Sequence, residues 1–447
     1  MDRVCVIGAG SSGIAACQVL GARGIEFDCY ETGSEIGGNW RYLNDNGMSS
    51  AYRSLHINTS RQMMEFKSFP MPAHLPAYPS HFQIAEYFDD FVKHHGFGDR
   101  IRFRTEVTSV TVASRGASGG ASGGYSVTTR DRDTGEEVSR TYGSVIVANG
   151  HHWSPRMPEP AFPGSFDGEE MHAHFYKRPE RFADKKVLVL GIGNSACDIA
   201  VESSRVSART FLAMRRGAHI MPKYLFGMPT DHLTTSPLAR FAPAWLQALS
   251  LRAMLRLARG KLSDYGLPEP SHAILAAHPT VSDDLLTRLG HGDITVKPNI
   301  DRLDGSGVVF ADGSREDVDV IVYCTGYKVD FPFLDAASFP AVSSPDNEVS
   351  LYRRVVDPDH PGLYFLGLIQ PLGAIMPLAE AQSEWIADLV SGRAGLPSVP
   401  EMKAEIAAYR ESLRSRYVKS KRHTLEVDFL GYQRELREER RAGAARR

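Results

Sequence analysis

The chain has 447 residues, 42% apolar and 23% charged, with a net charge of −2. That length supports two or three domains with sizeable cores, and the near-neutral balance excludes any electrostatic case for nucleic acid or an anionic membrane surface as a partner. No apolar run approaches the roughly 18 residues of a membrane span. The five cysteines form no Cys-x-x-Cys and read as buried thiols in a reducing compartment. The first strand begins near Arg3, which leaves no room for a signal peptide, so the expected location is cytoplasmic and the sequon Asn58-Thr59-Ser60 is idle.

Val4-Cys5-Val6-Ile7 is a short apolar run followed by Gly8-x-Gly10-x-x-Gly13 and a helical pattern through Leu20. A second strand, Phe27–Tyr30, ends in Glu31, eighteen residues beyond Gly13. Strand, glycine turn, helix and terminal acid in this register form a dinucleotide site: backbone N–H groups meet a pyrophosphate and the acid meets a ribose hydroxyl. Gly37-Gly38-Asn39-Trp40 then reads either as a loop anchored by its tryptophan or as a segment lying along a ligand. Residues 52–82, rich in Met, Phe, Pro and His, read as an irregular loop over a flat apolar object or as surface covering. Within them Asn58 reads first as a turn or helix-cap asparagine.

Helical spacing runs from Ile84 to His94, and strands are expected near 101–112 and 125–130, joined by a Gly/Ser-rich tip at Ser114–Gly124. Val145–Ala148 is a buried strand ending at Gly150. His151, His152, His172 and His174 lack metal-ligand spacing, so no metal is expected. Val187–Leu190 runs into Gly191-x-Gly193-Asn194-Ser195-Ala196, a second dinucleotide turn. Eighteen residues beyond Ala196 stands Met214, followed by Arg215 and Arg216. Losing the carboxylate and gaining guanidinium groups is how such a site accepts a 2′-phosphate; solvated arginines are the plain alternative. The first turn therefore suits FAD and the second NADP. Residues 236–262 read as one or two basic amphipathic helices serving the core or a channel. Val318–Tyr323 repeats the strand-to-glycine form, so the chain is expected to leave its first domain and return. Another buried strand near Leu363 feeds Gln370 and a helix from about Leu378 to Val390, and the Arg/Glu-rich tail after Leu436 is expected to fray.

In these motifs the chain resembles the flavin-containing monooxygenases. Their F-x-G-x-x-x-H-x-x-x-[FY] signature is matched by Phe166, Gly168, His172 and Tyr176. Gly38-Asn39-Trp40, Leu55–Ser60, Gly191–Asp198, His278–Asp284 and Cys324–Tyr327 agree in order and separation. Two departures are Ala196 in place of glycine and Cys324 in place of alanine. The resemblance implies an α/β fold of two Rossmann-like domains, the NADPH domain inserted into the FAD domain, with boundaries at 1–180, 181–296 and 297–447. It implies that Gly8, Gly10, Gly13 and Glu31 hold the FAD diphosphate and ribose, with Gly38, Asn39 and Trp40 further along the cofactor. Asn58 would sit by the reactive edge of the flavin, which reverses its reading as a cap. Gly191, Gly193, Ser195 and Arg215 would bind NADPH, and Phe166–Tyr176 would be structural. The expected cofactor-contacting set also includes Thr59, Val107, Asn194, Ala196, Arg216, Thr325, Gly326 and Gln370.

The activity so implied is NADPH- and O₂-dependent oxygenation of soft nucleophiles, small amines or sulfides, through a flavin hydroperoxide kept from water. This accounts for a sequence without an acid/base pair or a nucleophilic triad. Baeyer–Villiger oxygenation of ketones is the nearest alternative. A flavin disulfide reductase needs a dithiol that Cys5, Cys17 and Cys29 do not supply at their spacings. A homodimer is the base-rate assembly.

Overall fold

The computed structural model describes residues 3–113, 124–235, 243–274, 279–343, 346–416 and 425–447. The chain forms two compact units, one of Met1–Ala51, Leu55–Ser154 and Lys328–Arg447, the other of Tyr52–Ser54 and Pro155–Tyr327. The chain does leave the first unit and return, but not at 181 and 296. Segments 155–180 and 297–327 fold with the second unit, because Glu169–His172 is the edge strand of its sheet and Val320–Tyr323 pairs beside Lys186–Leu190. The strand that rejoins the first sheet is Leu363–Phe365. Both returning runs are wholly apolar and end near glycine, so pattern alone does not choose their neighbours.

In the first unit five parallel strands lie in the order Leu363–Phe365, Ser144–Val147, Val4–Ile7, Phe27–Tyr30, Ile101–Arg102. Successive residues of Val4–Ile7 alternate between two cores. Val4 and Val6 pack with Ile14, Cys17 and Leu20 of the helix Ser11–Ala22 and with Trp385 and Ile386 of the helix Met376–Val390. Cys5 and Ile7 face Val107, Tyr125 and Val127 of an antiparallel sheet formed by Thr105–Val112, Tyr125–Asp131 and Glu137–Tyr142. Val4–Ile7 and Leu363–Phe365 are buried along their whole length, which is why they read as continuous apolar runs. The expected helix of residues 84–94 spans His81–His95, opened by a Ser80/Gln83 capping box. The Gly/Ser-rich tip lies, apart from Gly124, outside the described residues.

The tail does not fray. A helix spans Phe429–Ala445 with Asp428 as its cap, and Tyr432, Leu436, Glu439 and Gly443 are buried along one face. Arg440 bonds Asp388 at 2.8 Å and pairs with Glu384, so the charges that suggested a solvated tail are matched by partners on the helix Met376–Val390.

The second unit repeats the parallel plan in the order Ile294–Pro298, Arg209–Met214, Lys186–Leu190, Val320–Tyr323, Glu169–His172. One face packs against a three-stranded antiparallel sheet of Ile300–Asp304, Gly307–Phe310 and Arg315–Asp317. Of the basic segment, 236–242 lies outside the described residues; Ala244–Arg259 is one helix, with Leu251 and Leu255 buried against Met221 and Leu225. Among the described residues no helix is long and apolar enough to cross a membrane.

The F-x-G-x-x-x-H-x-x-x-[FY] signature has a packing explanation. A Cβ on Gly168 would come 2.5 Å from the Phe166 ring and 2.6 Å from the Asp319 carbonyl oxygen. His172 accepts from the His174 N–H at 3.1 Å, and Tyr176 stacks on Phe182 at 5.6 Å while donating to Glu202. The motif is therefore a buried edge strand with its turn. Gly168→Ala is expected to destabilise the second unit by about 1–3 kcal/mol through overpacking. Thermal unfolding checks this, and an unchanged transition would mean the Phe166 ring has room to move.

Candidate functional site

The first glycine turn is shaped by backbone crowding. Gly8 has φ +97 and donates to the Tyr30 carbonyl at 2.8 Å. A Cβ on Gly8 would lie 2.8 Å from the Ala148 carbonyl oxygen, and one on Gly13 would overlap the carbonyl oxygen of Gly8. Gly10 caps the helix Ser11–Ala22 with no side-chain hydrogen bond, so the first N–H groups are not taken by a side-chain cap. The Gly37 N–H donates to the Ala9 carbonyl at 3.0 Å, and a Cβ on Gly38 would come 3.1 Å from Gly10 Cα. Two glycine turns thus meet backbone to backbone, a cradle that any side chain would fill and that fits a pyrophosphate.

Glu31 closes this turn. Its carboxylate accepts from the N–H groups of Ala9 at 2.8 Å and Gly33 at 2.7 Å, and from Asn46 Nδ2 at 3.2 Å. Burial raises its pKa, while the hydrogen bonds from Ala9, Gly33 and Asn46 pull the other way. Glu31 Oε2 takes one of these bonds, which leaves a lone pair for a ribose hydroxyl. The sequence pattern pointed to the ribose contact but not to the bracing of Ala9, a bond that only the folded turn creates.

The other expected residues of this unit divide by role. Asn39 Oδ1 accepts from both the N–H and the hydroxyl of Ser50 at 2.8 Å, so its side chain braces the loop. Trp40 packs against the main core. Asn58 and Thr59 are half-buried in the bend before Ser60, and it is Ser60 that occupies the cap position of the short helix Arg61–Met64. The cap reading of Asn58 therefore fails; its side chain makes no hydrogen bond among the described residues. Val107 is buried at a register shift between Val107 and Ser109, and Gln370 donates its N–H to Leu425 at 2.7 Å.

The second turn is roomier at its third position. A Cβ on Gly191 would meet the Cys324 carbonyl oxygen at 2.9 Å, yet Ala196 is seated fully buried beneath it. Gly193 caps the helix Asn194–Ser203, again with no side-chain hydrogen bond, and Ser195 is half-buried in the first turn. Asn194 Oδ1 accepts from the Val281 N–H at 2.8 Å, and the Thr280 hydroxyl donates to the Ile192 carbonyl at 2.7 Å. The run 278–284, whose His278 lies outside the described residues, thereby latches the turn. Arg215 is exposed and Arg216 half-buried just past Met214, and neither guanidinium has a hydrogen-bond or ion-pair partner among the described residues. Burial, and then the neighbouring Arg215 charge, lowers the Arg216 pKa. Two uncompensated cations here fit a 2′-phosphate. Thr325 and Gly326, by contrast, hold the chain to Arg156: the Thr325 hydroxyl donates to its carbonyl, and Gly326 accepts from its N–H at 3.0 Å.

Sequence reading gave no role to Asp198 and Glu202. One helical turn apart after Gly193, they accept from Tyr52 and from Ser54 and Tyr176 respectively. The i, i+4 spacing of carboxylates is visible in the sequence; the tyrosines that meet them are distant in the chain.

The family model described as flavin-binding monooxygenase-like matches residues 1–443. The chain belongs to that family. It is 38% identical over 444 residues to flavin-containing monooxygenase 5 of Oryctolagus cuniculus, covering 97% of this chain and 82% of that protein. To the N-oxide-forming dimethylaniline monooxygenase 2 of Mus musculus it is 36% identical over 450 residues, with 97% and 82% covered. The solved S-allyl-L-cysteine S-oxygenase of Allium sativum matches with a TM-score of 0.73 at 26% identity, covering 98% of this chain and 88% of that one. As a flavin monooxygenase the protein is an oxidoreductase that uses FAD and NADPH.

In this flavin monooxygenase the signature histidine is a weak proton acceptor. Burial pulls the His172 pKa down to about 4, so the ring is neutral at pH 7. His151, half-buried with its ring desolvated, is drawn to about 4 as well. All five cysteines are free; burial raises the thiols of Cys5, Cys197 and Cys324, and a hydrogen bond with Cys17, then burial, raises that of Cys29. Both histidines bind protons more weakly folded than unfolded, where the value is about 6.5. The unfolded chain therefore takes up more protons as pH falls from about 6.5 to 4, and stability present above that window is lost through it. Thermal unfolding from pH 7 to pH 4.5 should move steadily earlier, and His172→Gln should flatten the slope. An equally steep slope in that variant would refute the assignment.

Proposed function

We propose that the protein oxygenates soft nucleophiles, small amines and sulfides, at the expense of NADPH and O₂. The observation that carries this is the pairing of a glycine cradle closed by the Glu31 carboxylate with a second glycine turn followed by two arginines that have no partner among the described residues. When bound, FAD and NADPH supply the hydride and oxygen chemistry. Gly8, Gly10 and Gly13, with the first N–H groups of the helix Ser11–Ala22, bind the FAD diphosphate, and Glu31 takes the ribose. Gly38, Asn39 and Trp40 keep the neighbouring turn closed on Gly10. We assign Gly191, Gly193 and Ser195 to the NADPH diphosphate and Arg215 and Arg216 to its 2′-phosphate. In this reading Asn194 and Ala196 shape that turn, and Thr325 and Gly326 frame it.

Asn58 is the residue we assign to the reacting end of the flavin, with Thr59 beside it; its uncommitted amide supports this. Val107 and Gln370 would contribute through their backbone, since the side chain of one is buried and the other begins a strand. The substrate class is supported by an N-oxide-forming relative and by an S-oxygenase of like fold. The same reading keeps the protein in the cytoplasm, supported by five cysteines outside any disulfide, and takes a homodimer as its assembly on base rates.

The test is a panel of a thioether, a tertiary amine and a ketone with NADPH and O₂, scored by product mass because NADPH is also consumed when oxygenation fails. Sulfoxide and N-oxide are expected; ester from the ketone alone would establish the Baeyer–Villiger alternative. Arg215→Ala should raise KM for NADPH by roughly 10–100-fold, the worth of one charge-assisted contact, with KM for NADH unchanged. An unaltered NADPH KM would remove Arg215 from the site.

A further inference from the structure

Gly367 follows the strand Leu363–Phe365 and has φ +73. A Cβ there would overlap Ser12 Oγ, in the first turn of the helix Ser11–Ala22. The Gly367 backbone is therefore a wall against which the start of that helix is seated, and anything that moves Gly367 moves the N–H groups at the cradle. The neighbouring Leu366 N–H is tied to the Val147 carbonyl at 2.8 Å, and Gly367 itself is held by a side chain. Its N–H donates to Gln382 Oε1 at 2.9 Å, and Gln382 is fully buried on the helix Met376–Val390.

The Gln382 amide has only one workable orientation. A backbone N–H can only donate, so Oε1 must face Gly367 and the NH₂ group must face the other way. There it donates to the Tyr432 hydroxyl at 2.7 Å, and that hydroxyl donates to the Arg353 carbonyl at 2.6 Å. Tyr432 belongs to the C-terminal helix Phe429–Ala445. Its ring lies beneath the Arg354 guanidinium at 4.6 Å, on a turn where Arg353 and Arg354 both adopt left-handed backbone. A strained turn of that kind persists only where its surroundings over-determine it. Arg354 is over-determined: it is buried, stacked on Tyr409 at 4.0 Å as well, and paired with Glu435 of the same C-terminal helix.

We infer that Gln382 and Tyr432 are positioning residues for FAD, and that the C-terminal helix is part of the apparatus that sets the pyrophosphate cradle. This rests on the reading of Gly8–Gly13 as the FAD site. Gln382→Leu, of similar volume, would leave the Gly367 N–H and the Tyr432 hydroxyl short of a partner. Tyr432→Phe would keep the ring under Arg354 and remove only the hydroxyl.

The experiment measures FAD release from the purified holoenzyme by recovery of flavin fluorescence on dilution, with NADP⁺ affinity measured in parallel. Gln382→Leu should release FAD at least about tenfold faster, the scale of one buried hydrogen bond left unmade. Tyr432→Phe should act in the same direction but less, and the double variant should be no worse than Gln382→Leu alone. NADP⁺ affinity should be unchanged in all three. Wild-type release rates in both single variants, or additive effects in the double one, would overturn the inference. Should Gln382→Leu not fold, the release rate of Tyr432→Phe alone decides. A wild-type protein purified without flavin and unable to take it up would instead overturn the FAD reading itself.

Discussion

At the first turn a Cβ on residue 13 would need the space that the Gly8 carbonyl oxygen fills, and a Cβ on Gly8 would press on the Ala148 carbonyl. Strand and helix can approach this closely only because neither position carries a side chain. That approach has consequences beyond the turn itself. It places Ala9 where its N–H reaches the Glu31 carboxylate and its carbonyl reaches the Gly37 N–H, so the second strand and the Gly37–Gly38 turn are both fixed from one residue. The same helix is walled on its far side by Gly367. A third close approach, again at a glycine, completes the enclosure of the helix start.

The two turns solve the same problem with different tolerances. In the second, the crowding partner of Gly191 is Cys324, just past the adjacent strand, and the helix stands far enough off for Ala196 to be buried without overlap. The turn is then secured from outside, by Thr280 to Ile192 and Val281 to Asn194. Where the first turn has a carboxylate that also serves as a brace, the second ends in Arg215 and Arg216, which brace nothing among the described residues. A buried, multiply hydrogen-bonded acid and a pair of uncommitted cations imply different nucleotides by charge alone.

Much of this was legible in the sequence because it rests on local rules. Glycine spacing, a continuous apolar run before it and an acid or arginine after the second strand are all short-range signals, and they specified both turns. Asn58 shows the limit of such signals: an asparagine in a bend beside a helix start suits a cap, yet Ser60 takes that position. The domain joins were missed for a related reason. The edge strand Glu169–His172 has no apolar run to announce it, and Val320–Tyr323 resembles the strands of either sheet. The C-terminal helix was misread from composition, because Arg440 and its carboxylate partners are about fifty residues apart and only the fold pairs them.

The signature motif separates what the protein builds from what its cofactors do. Phe166, Gly168, His172 and Tyr176 explain themselves as packing: a ring folded over a glycine, a neutral buried imidazole accepting from a backbone N–H, and a phenol held by a carboxylate. A histidine held near pKa 4 would be a poor base at neutral pH, and none of the five cysteines is in a disulfide. The polar investment of the chain goes instead into backbone N–H groups at two helix starts and into the bonds that hold those starts in place. With FAD in the cradle as proposed, that is where positioning has the most leverage, since a shift of the cradle would displace the whole cofactor while a change at one side chain would displace a single contact.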